Sequence, residues 1–385
     1  MNLFPSAKCK SLNKEMICAL LFLLPLFLLS CTTYQPRSGP VITPRTAALF
    51  EVAGFDDQVT GVAVSRKGRI FVNFPRWGKD PRYSVAELLP DRTLRPYPDA
   101  NWNRWDGKAN DAAGHFVCVQ SVFVDREDNL WILDPASPSF KGVVPGGAKL
   151  LKVNLAHDRV ERVYPFDSSA APSAGYLNDV RIDPAGKFAY ITESGTGAIV
   201  VLDLKTGESR RLLDGHPSTR AEPGVVPVID GREWRDEKGK VPQVHADGIA
   251  LDAKGEYLYY HALTGRTLYR IKTAFLNDPT LSPEELERRV ERLAETGPVD
   301  GMEMWRDVLY FTALEENAVK NLRPDGSVAT VVREPLVQWP DSLAVGPDNY
   351  LYVTASQIHR SPRFNKGVDR HEPPYRLFRV WLEPL

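Results

Sequence analysis

Five polar residues, each just ahead of an apolar segment of one recurring pattern, could together bind a cation. They are Gln120, Asn178, Asp247, Asp300 and Asp341. Carboxylate and amide oxygens are the ligands that Ca²⁺ and other hard divalent ions prefer, and a protonated amine would suit the carboxylates equally well. If the three aspartates lie close together, they raise one another's pKa unless a cation compensates them. The simpler alternative is three separate turns, in which each aspartate caps nearby backbone N–H groups.

Two further candidates stand at the end of the second segment of their repeats. Glu193 is acidic where most copies carry alanine or phenylalanine, and His261 is by default a core histidine with satisfied hydrogen bonds. The predicted ligand-binding residues are Gln120, Asn178, Glu193, Asp247, His261, Asp300 and Asp341. The predicted metal ligands, for Ca²⁺ or a similar ion, are Asn178, Asp247, Asp300 and Asp341. No cofactor is certain, and no catalytic residue is assigned.

The polar residues recur because a strand–turn–strand pattern recurs six times. The copies begin near residues 60, 120, 178, 247, 300 and 341, and HADGIALDAKGEYLYYH from His245 is the clearest. Alternating apolar residues and β-formers predict strands, and turns such as RKG, PAG and PDN are typical of hairpins. A four-stranded propeller blade needs about 40–45 residues. The spacing therefore predicts an all-β, six-bladed β-propeller with insertions.

Two details complete the predicted ring. The last copy lacks a fourth strand, whereas AALFEVAGF from Ala47 precedes the first copy, so this N-terminal strand is predicted to complete the last blade. Closure of that kind removes exposed sheet edges. One short inserted helix is predicted over about residues 283–295, because Ser282 and Pro283 suit a helix start and apolar residues follow at helical spacing.

Three long insertions are predicted to lie on one face of the propeller, together with the polar residues that precede the inner strands. They span residues 100–117, 215–246 and 357–374. The mouth of the central channel on this face is the predicted pocket for a small molecule. Trp77, Trp102 and Trp105 could stack on a ligand there, although packing is their ordinary role.

The N-terminal segment predicts export. Residues 1–30 combine a basic start with an apolar run from Ile17 to Ser30, which is typical of a signal peptide. Cys31 follows Leu28-Leu29-Ser30 and is the predicted site of lipid attachment, with a plain signal peptide or an uncleaved anchor as alternatives. Residues 31–45 would form a tether and residues 46–385 the propeller. We expect an envelope lipoprotein on the periplasmic or extracellular face of a membrane.

Charge and cysteine content narrow the possible partners. The formal net charge is −1, and the sequence has no dense run of basic residues. We therefore see no electrostatic reason to expect nucleic-acid binding. Cys118 is the only cysteine after Cys31, so the mature chain forms no internal disulfide through its remaining cysteines. The expected partners are a small molecule and, through the lipid, a membrane; the protein is expected to be a monomer.

Longer phrases carry a resemblance to a known family. They include LNDVRIDPAGKFAYITESGTGAIVVLDL, HADGIALDAKGEYLYYHALTGRTLYRIKT, DGMEMWRDVLYFTALEENAVKNL and VQWPDSLAVGPDNYLYVTASQIHR, which span most of residues 175–360. In these phrases the chain resembles the yellow/major royal jelly protein family, whose bacterial members are described as related to dopachrome tautomerase. The resemblance implies a secreted six-bladed propeller with a small-molecule pocket at one end of its channel. Relatives are linked to aromatic amine or catechol-derived ligands.

A more distant similarity is to the gluconolactonase/regucalcin propellers, whose metal site uses acidic and amide residues at inner strand starts. Asn178 and Asp247 could take two of those places, but Thr60 stands where a glutamate is expected. Three hypotheses follow: a lipid-anchored propeller that binds a small aromatic or polar molecule and could also isomerise it, a metal-dependent lactonase, and a non-catalytic envelope scaffold. Whether the protein is an enzyme is left open.

Overall fold

The computed structural model describes residues 47–383, so the predicted signal peptide, Cys31 and the tether lie outside the described residues. Six four-stranded antiparallel sheets follow one another along the chain. None of the helices in residues 47–383 is long and apolar enough to cross a membrane. The prediction of a six-bladed, all-β propeller is confirmed.

The strands are numbered in chain order. The N-terminal strand is β1 (Leu49–Phe55). The first blade comprises β2 (Gly61–Val64), β3 (Ile70–Asn73), β4 (Val85–Leu88) and β5 (Leu94–Pro96). The second comprises β6 (Ser121–Val124), β7 (Asn129–Asp134), β8 (Lys149–Asn154) and β9 (Arg159–Pro165). The third comprises β10 (Leu177–Ile182), β11 (Phe188–Glu193), β12 (Ala198–Asp203) and β13 (Ser209–Leu212).

A two-stranded hairpin, β14 (Val228–Ile229) and β15 (Arg232–Glu233), lies between the third and fourth blades. The fourth blade comprises β16 (Ala246–Leu251), β17 (Tyr257–Ala262), β18 (Thr267–Lys272) and β19 (Glu291–Glu295). The fifth comprises β20 (Met302–Trp305), β21 (Val308–Ala313), β22 (Ala318–Leu322) and β23 (Val328–Arg333). The sixth comprises β24 (Pro340–Val345), β25 (Tyr350–Ala355) and β26 (Tyr375–Trp381), with β1 as its fourth strand.

The ring closes through this pairing of the two ends of the described chain. Leu49 pairs with Val380 and Phe55 with Tyr375, so β1 runs antiparallel to β26 along the outer edge of the sixth blade. The predicted closure by the N-terminal strand is therefore observed. It leaves the last blade with the same four strands as the other five.

The core is distributed around the ring rather than gathered in one place. Six clusters of buried side chains each lie between two neighbouring blades, and together they include the pair formed by the sixth and first blades. A seventh cluster, around Trp234 and Trp339, lies among the connections at one end of the propeller. Each blade thus buries both faces of its sheet, which explains the nearly continuous burial of strands such as β7 and β10.

The helix prediction needs a correction. Residues 47–383 form α1 (Thr273–Asn277) and α2 (Pro283–Glu287), and five short 3-10 helices at Ala109–Gly114, Pro138–Phe140, Leu314–Glu316, Ile358–Arg360 and Pro362–Phe364. The capping box of α2 is present, since Ser282 accepts from the Glu285 N–H and the Glu285 side chain accepts from the Ser282 N–H. The predicted helix over 283–295 nevertheless ends at Glu287. Residues Glu291–Glu295 form β19 because the open edge of β18 requires a hydrogen-bonded partner.

The two ends of the propeller differ. We call the cavity face the end that carries the connections 97–120, 213–245 and 356–374, and the far face the end that carries tight turns such as 65–69 and 125–128. The inner strand of each blade runs from the cavity face to the far face. Residues just ahead of inner strands therefore meet around the channel mouth on the cavity face, as the sequence predicts.

Candidate functional site

A cavity of about 950 Å³ opens at the cavity face. Five of the predicted ligand-binding residues line it: Gln120, Asn178, Asp247, Asp300 and Asp341. Each comes from the start of a different inner strand or from the residues just before it, in the second to sixth blades. Their common position in the repeat is what brings them together.

β-Bulges at the starts of three inner strands determine the direction of three of these side chains. In the third blade Leu177 pairs with Glu193 and Val180 pairs with Ile191. Two residues of β10, Asn178 and Asp179, therefore lie opposite a single residue of β11. The same two-against-one arrangement occurs at Asp247 in the fourth blade and at Asp341 in the sixth. Such β-bulges turn side chains away from the regular alternation and are frequent beside functional sites.

The three aspartates form the floor of the cavity. The carboxyl groups of Asp247 and Asp300 are close enough to influence each other's titration, and Trp339 Nε1 donates to Asp300 Oδ2 at 2.7 Å. Ser356 Oγ donates to Asp341 Oδ2 at 2.8 Å.

Burial and mutual repulsion shift the titration of this floor. Burial raises the pKa of Asp300 to about 7. It also raises the pKa of Asp247 and of Asp341 well above the usual range, and the nearby Asp300 carboxylate raises both further. Within residues 47–383, none of the three aspartates forms an ion pair with a lysine, arginine or histidine. Among the described residues the floor is therefore an acidic site without a directly paired cationic side chain.

The predicted metal site can be compared with this geometry. The described residues contain no group of three or more His, Cys, Asp or Glu side chains arranged to hold a metal ion. Asp300 is already engaged by the Trp339 indole and by Asp247. The arrangement gives the metal prediction for Asn178, Asp247, Asp300 and Asp341 no direct support, and it stays a prediction.

A fourth aspartate lies deeper in the channel and has no counterpart in the sequence prediction. Asp179 lines a smaller cavity of about 60 Å³ together with Arg181 and Glu303. Burial raises the pKa of Asp179, and burial raises that of Glu303 to about 7, while Arg181 opposes both shifts. Because the bulge places both Asn178 and Asp179 along the axis, strict alternation could not have identified the second of them.

Aromatic side chains form the walls above the floor. They are Trp77, Phe140, Tyr176, Trp234, Trp339, Phe364 and Tyr375. On one side Trp77 stacks on Phe140 with ring centroids 5.3 Å apart, and Trp77 Nε1 donates to the Tyr176 hydroxyl at 2.7 Å. That hydroxyl donates to Gln120 Oε1 at 3.0 Å, so Gln120 is held in place. Trp102 and Trp105 pack in the first insertion and do not line the cavity.

Two predicted ligand-binding residues lie outside the cavity lining. Glu193 is fully buried, accepts from the N–H groups of Tyr176, Gly195 and Thr196, and forms an ion pair with Arg211. His261 is also fully buried; its Nδ1 contacts the Ala262 carbonyl and its Nε2 the Thr296 hydroxyl, and burial lowers its pKa to about 4. The hydrogen-bonding groups of both side chains are already bound by neighbouring groups of the protein. Neither side chain is therefore available to a ligand.

The row of polar residues at the ends of the second strands has a structural role. Thr192 Oγ1 donates to the Asp247 carbonyl at 2.5 Å, and Thr354 Oγ1 donates to the Thr60 carbonyl at 2.6 Å. Asn73 Nδ2 similarly donates to the Gln120 carbonyl at 3.0 Å. Each bond joins one blade to the inner strand of the next. These side chains therefore hold adjacent blades together directly beneath the site.

Two of the three insertions enclose the cavity. Asp230, in the hairpin of the second insertion, is bound by His359 Nε2 at 2.9 Å and by Arg360 at 3.1 Å from the third insertion. Positive φ at Asp230 and Gly231 is typical of a type I′ turn. The first insertion instead packs on the second blade, where Lys149 Nζ bonds to the Ala112 carbonyl and to Asp134.

Comparison with known proteins identifies a matching family and solved structures with a similar fold. The family model described as Major royal jelly protein matches residues 117–377. Major royal jelly protein 5 of Apis mellifera is 24% identical over 267 residues, which cover 66% of this chain and 42% of that protein. The chain thus spans less than half the length of this relative.

Solved structures with a similar fold include two enzymes. A gluconolactonase from Xanthomonas campestris superposes with a TM-score of 0.54 at 12% identity, over 88% of this chain and 90% of that chain. A luciferin-regenerating enzyme superposes with a TM-score of 0.54 at 11% identity, over 87% and 95%. At these identities the similarity concerns the fold alone.

Proposed function

We propose, from the premise that this chain belongs to the major royal jelly protein family, that its cavity binds a small molecule carrying both a protonated amine and an aromatic ring. The single observation that carries the proposal is the acidic floor. Asp247, Asp300 and Asp341 meet there beneath aromatic walls, and none of the three forms an ion pair among the described residues, although Lys79 and Arg363 line the same cavity. A ligand amine would supply the missing positive charge.

The aromatic walls support the second half of the proposal. Trp77 and Phe140 on one side and Trp234 and Trp339 on the other provide flat apolar surfaces within one cavity. Aromatic rings stack on such surfaces, and a cation beside them gains further from the ring electrons. A cavity of about 950 Å³ is also at the upper end of the size range usual for small-molecule sites.

A divalent ion on Asn178, Asp247, Asp300 and Asp341 is the alternative occupant of the same floor. A metal-dependent lactonase would be the corresponding activity, and a non-catalytic envelope scaffold is the remaining alternative. Since the described residues offer no three-residue His, Cys, Asp or Glu metal cluster, we favour the amine. Isomerisation of the bound ligand is a separate question, because no catalytic residue is assigned.

The test is calorimetric titration with phenethylamine and with its neutral analogue 2-phenylethanol. The parent should bind the amine at least about tenfold more tightly, because hydrogen bonds to charged groups contribute about 1.5–3 kcal/mol. Asp300→Asn should weaken amine binding by about tenfold or more. Asp325→Asn, in an exposed turn of the fifth blade, is the matched control and should change nothing.

Three outcomes would decide against the proposal. Equal affinity for amine and alcohol would remove the role of charge, and absence of binding to both would remove the site. Metal analysis of the purified parent separates the alternative: a stoichiometric divalent ion that Asp300→Asn loses would assign the floor to a metal instead. Melting temperatures of both variants establish that the fold survives.

A further inference from the structure

Two exposed aromatic side chains lie together on the sixth blade, outside the cavity. The exposed aromatic side chains in residues 47–383 are Phe50, Phe140 and Trp381, and of these Phe140 lines the cavity. Phe50, which is 48% exposed, and Trp381, which is 42% exposed, belong to the sixth blade. Single exposed apolar residues are common on soluble proteins, whereas contiguous ones often mark a contact surface.

Strand register places these two residues on one face of the sheet. Phe50 of β1 is opposite Arg379 of β26, and Trp381 of β26 is opposite Tyr350 of β25. Because paired residues and residues two apart on a strand share a face, all four side chains lie on the same side. The Phe50 and Tyr350 ring centroids are 6.3 Å apart, and the Arg379 guanidinium lies 4.3 Å from the Tyr350 centroid. We call these four residues the sixth-blade patch.

The sixth-blade patch lies at the far-face end of its blade. The last residue of β1, Phe55, pairs with Tyr375, which lines the cavity, whereas Phe50 and Trp381 stand at the other ends of their strands. The described chain also begins here, at Ala47. Residues 32–46 separate Ala47 from the predicted lipid attachment site at Cys31. A flexible segment of that length spans about 20–25 Å on average and at most about 55 Å.

We infer that the sixth-blade patch docks on the lipid surface to which the protein's own anchor attaches. The inference goes beyond the proposed function and depends on the predicted lipid at Cys31, not on any ligand of the cavity. Tryptophan and tyrosine favour the boundary between lipid headgroups and acyl chains, because their rings are apolar and their edges are polar. Phe50 adds apolar contact area at the same place.

Arg379 supplies a cation beside these rings. A guanidinium binds phosphate oxygens well, and a long basic side chain can lie along apolar surface with its charge at the headgroup level. Arg379 pairs with Asp348 at 3.3 Å, and both side chains are more than a third exposed. An exposed pair of this kind is weak, so a lipid phosphate can compete for the guanidinium. Docking through this end of the propeller would turn the cavity face away from the bilayer.

The experiment measures lipid contact at one engineered cysteine in the lipidated, mature protein. Ala48→Cys is exposed and lies two residues before Phe50, so it reports on the sixth-blade patch without changing it. The Cys31 thiol carries the lipid and Cys118 is buried, so a thiol-reactive fluorophore labels position 48 selectively. Thr206→Cys is the matched control, because Thr206 lies in an exposed far-face turn of the third blade, opposite the sixth in the ring.

Vesicles of phosphatidylethanolamine and phosphatidylglycerol with brominated acyl chains serve as the lipid surface. The label at position 48 should lose emission through quenching by bromine, whereas the label at position 206 should not. Phe50→Thr combined with Trp381→Thr should restore the emission at position 48 and leave the lipid on Cys31. Both substitutions replace exposed residues of strands by a β-former, and the melting temperature establishes that the fold survives.

Equal quenching at positions 48 and 206, or quenching at neither, would overturn the inference, and this comparison stands even if the double variant does not fold. Quenching that persists in a folded double variant would also overturn it. A blue-shifted but unquenched label at position 48 would assign the sixth-blade patch to a protein partner or a second copy instead. A Cys31 without lipid, by mass spectrometry, would remove the reason for proximity to a membrane and overturn the inference. Failure to bind phenethylamine would contradict only the proposed function.

Discussion

Trp339 Nε1 donates a hydrogen bond of 2.7 Å to Asp300 Oδ2 and thereby connects the aromatic wall of the cavity to its acidic floor. The bond stabilises the ionised carboxyl group and opposes the effect of burial, which nevertheless raises the pKa of Asp300 to about 7. The floor therefore titrates close to neutral pH.

Amine binding should strengthen as pH rises. A protonated amine prefers an ionised Asp300, so affinity should fall by up to about tenfold per unit below pH 7 and level off above it. Calorimetric titration of phenethylamine between pH 5 and pH 8.5, where the amine stays protonated, measures this. The profile of Asp300→Asn should be flatter; a parent affinity independent of pH would contradict the prediction.

The stability of the ligand-free protein should show the opposite pH dependence and should fall as pH rises. Because the folded pKa of Asp300 lies above its ordinary value of 3.8, its contribution to stability is present below about pH 4 and is lost as pH rises towards 7. Asp300→Asn should therefore gain a few kcal/mol relative to the parent between pH 4 and pH 8. Urea unfolding at both pH values gives the difference, which Asp325→Asn should not reproduce.

We expect Glu193 to contribute to the stability of the fold and not to ligand binding. Glu193→Ala leaves three backbone N–H groups and the partly buried Arg211 without their shared carboxylate, so we expect a loss of about 3–5 kcal/mol in the free energy of unfolding. Phenethylamine affinity, measured at a temperature where the variant is folded, should change less than about threefold. A large loss of phenethylamine affinity with an unchanged free energy of unfolding would instead identify Glu193 as a ligand-binding residue.

Ring closure can be tested at the pairing of β1 with β26. Deletion of residues 47–53 exposes the edge of β26 and removes Ala53 from the core between the sixth and first blades. Aggregation or a large drop in melting temperature is expected. Deletion of residues 36–43, which lie outside the described residues, serves as the control; a 47–53 deletion as stable as this control would argue against closure by β1.

The predicted anchor lies outside the described residues and is tested separately. We expect cleavage after Ser30 and lipid attachment to the Cys31 thiol. Cys31→Ser should release the protein from the membrane fraction and change its mature mass, as judged by fractionation and mass spectrometry. Membrane association and mature mass that both match the parent would eliminate the lipoprotein hypothesis.

The fold could be predicted because each blade repeats its own alternating pattern and turn. Even the closing strand was visible, since AALFEVAGF had no blade of its own and the last blade lacked a strand. The segment after Glu287 was predicted wrongly as helix. Leu286, Val290 and Leu293 suit a helical face, but the unpaired edge of β18, a tertiary requirement, decides in favour of β19.

The site was accessible to sequence analysis only where it follows from the repeat. The residues at the starts of inner strands line the cavity, because those strands converge on one axis. Asp179 required knowledge of a bulge, which leaves no clear mark in the pattern of apolar residues. Trp234 also lines the cavity, but it lies in an insertion without repeat register, and its contact with Trp339 in the sixth blade could not be predicted from the sequence. Glu193 and His261 had suitable chemistry, but their hydrogen bonds are made with their own surroundings.

The pairing of β1 with β26 also has a consequence for biosynthesis. Chains emerge from the ribosome N-terminus first, so β1 is made long before the partner that completes its blade. Trp339 and Asp341 belong to the same region of the chain as β24–β26 and are made after the other five blades. A nascent or truncated polypeptide that lacks this region therefore has neither a closed ring nor a complete acidic floor. Ligand capture and structural completion would be acquired together, once β24 to β26 have been made.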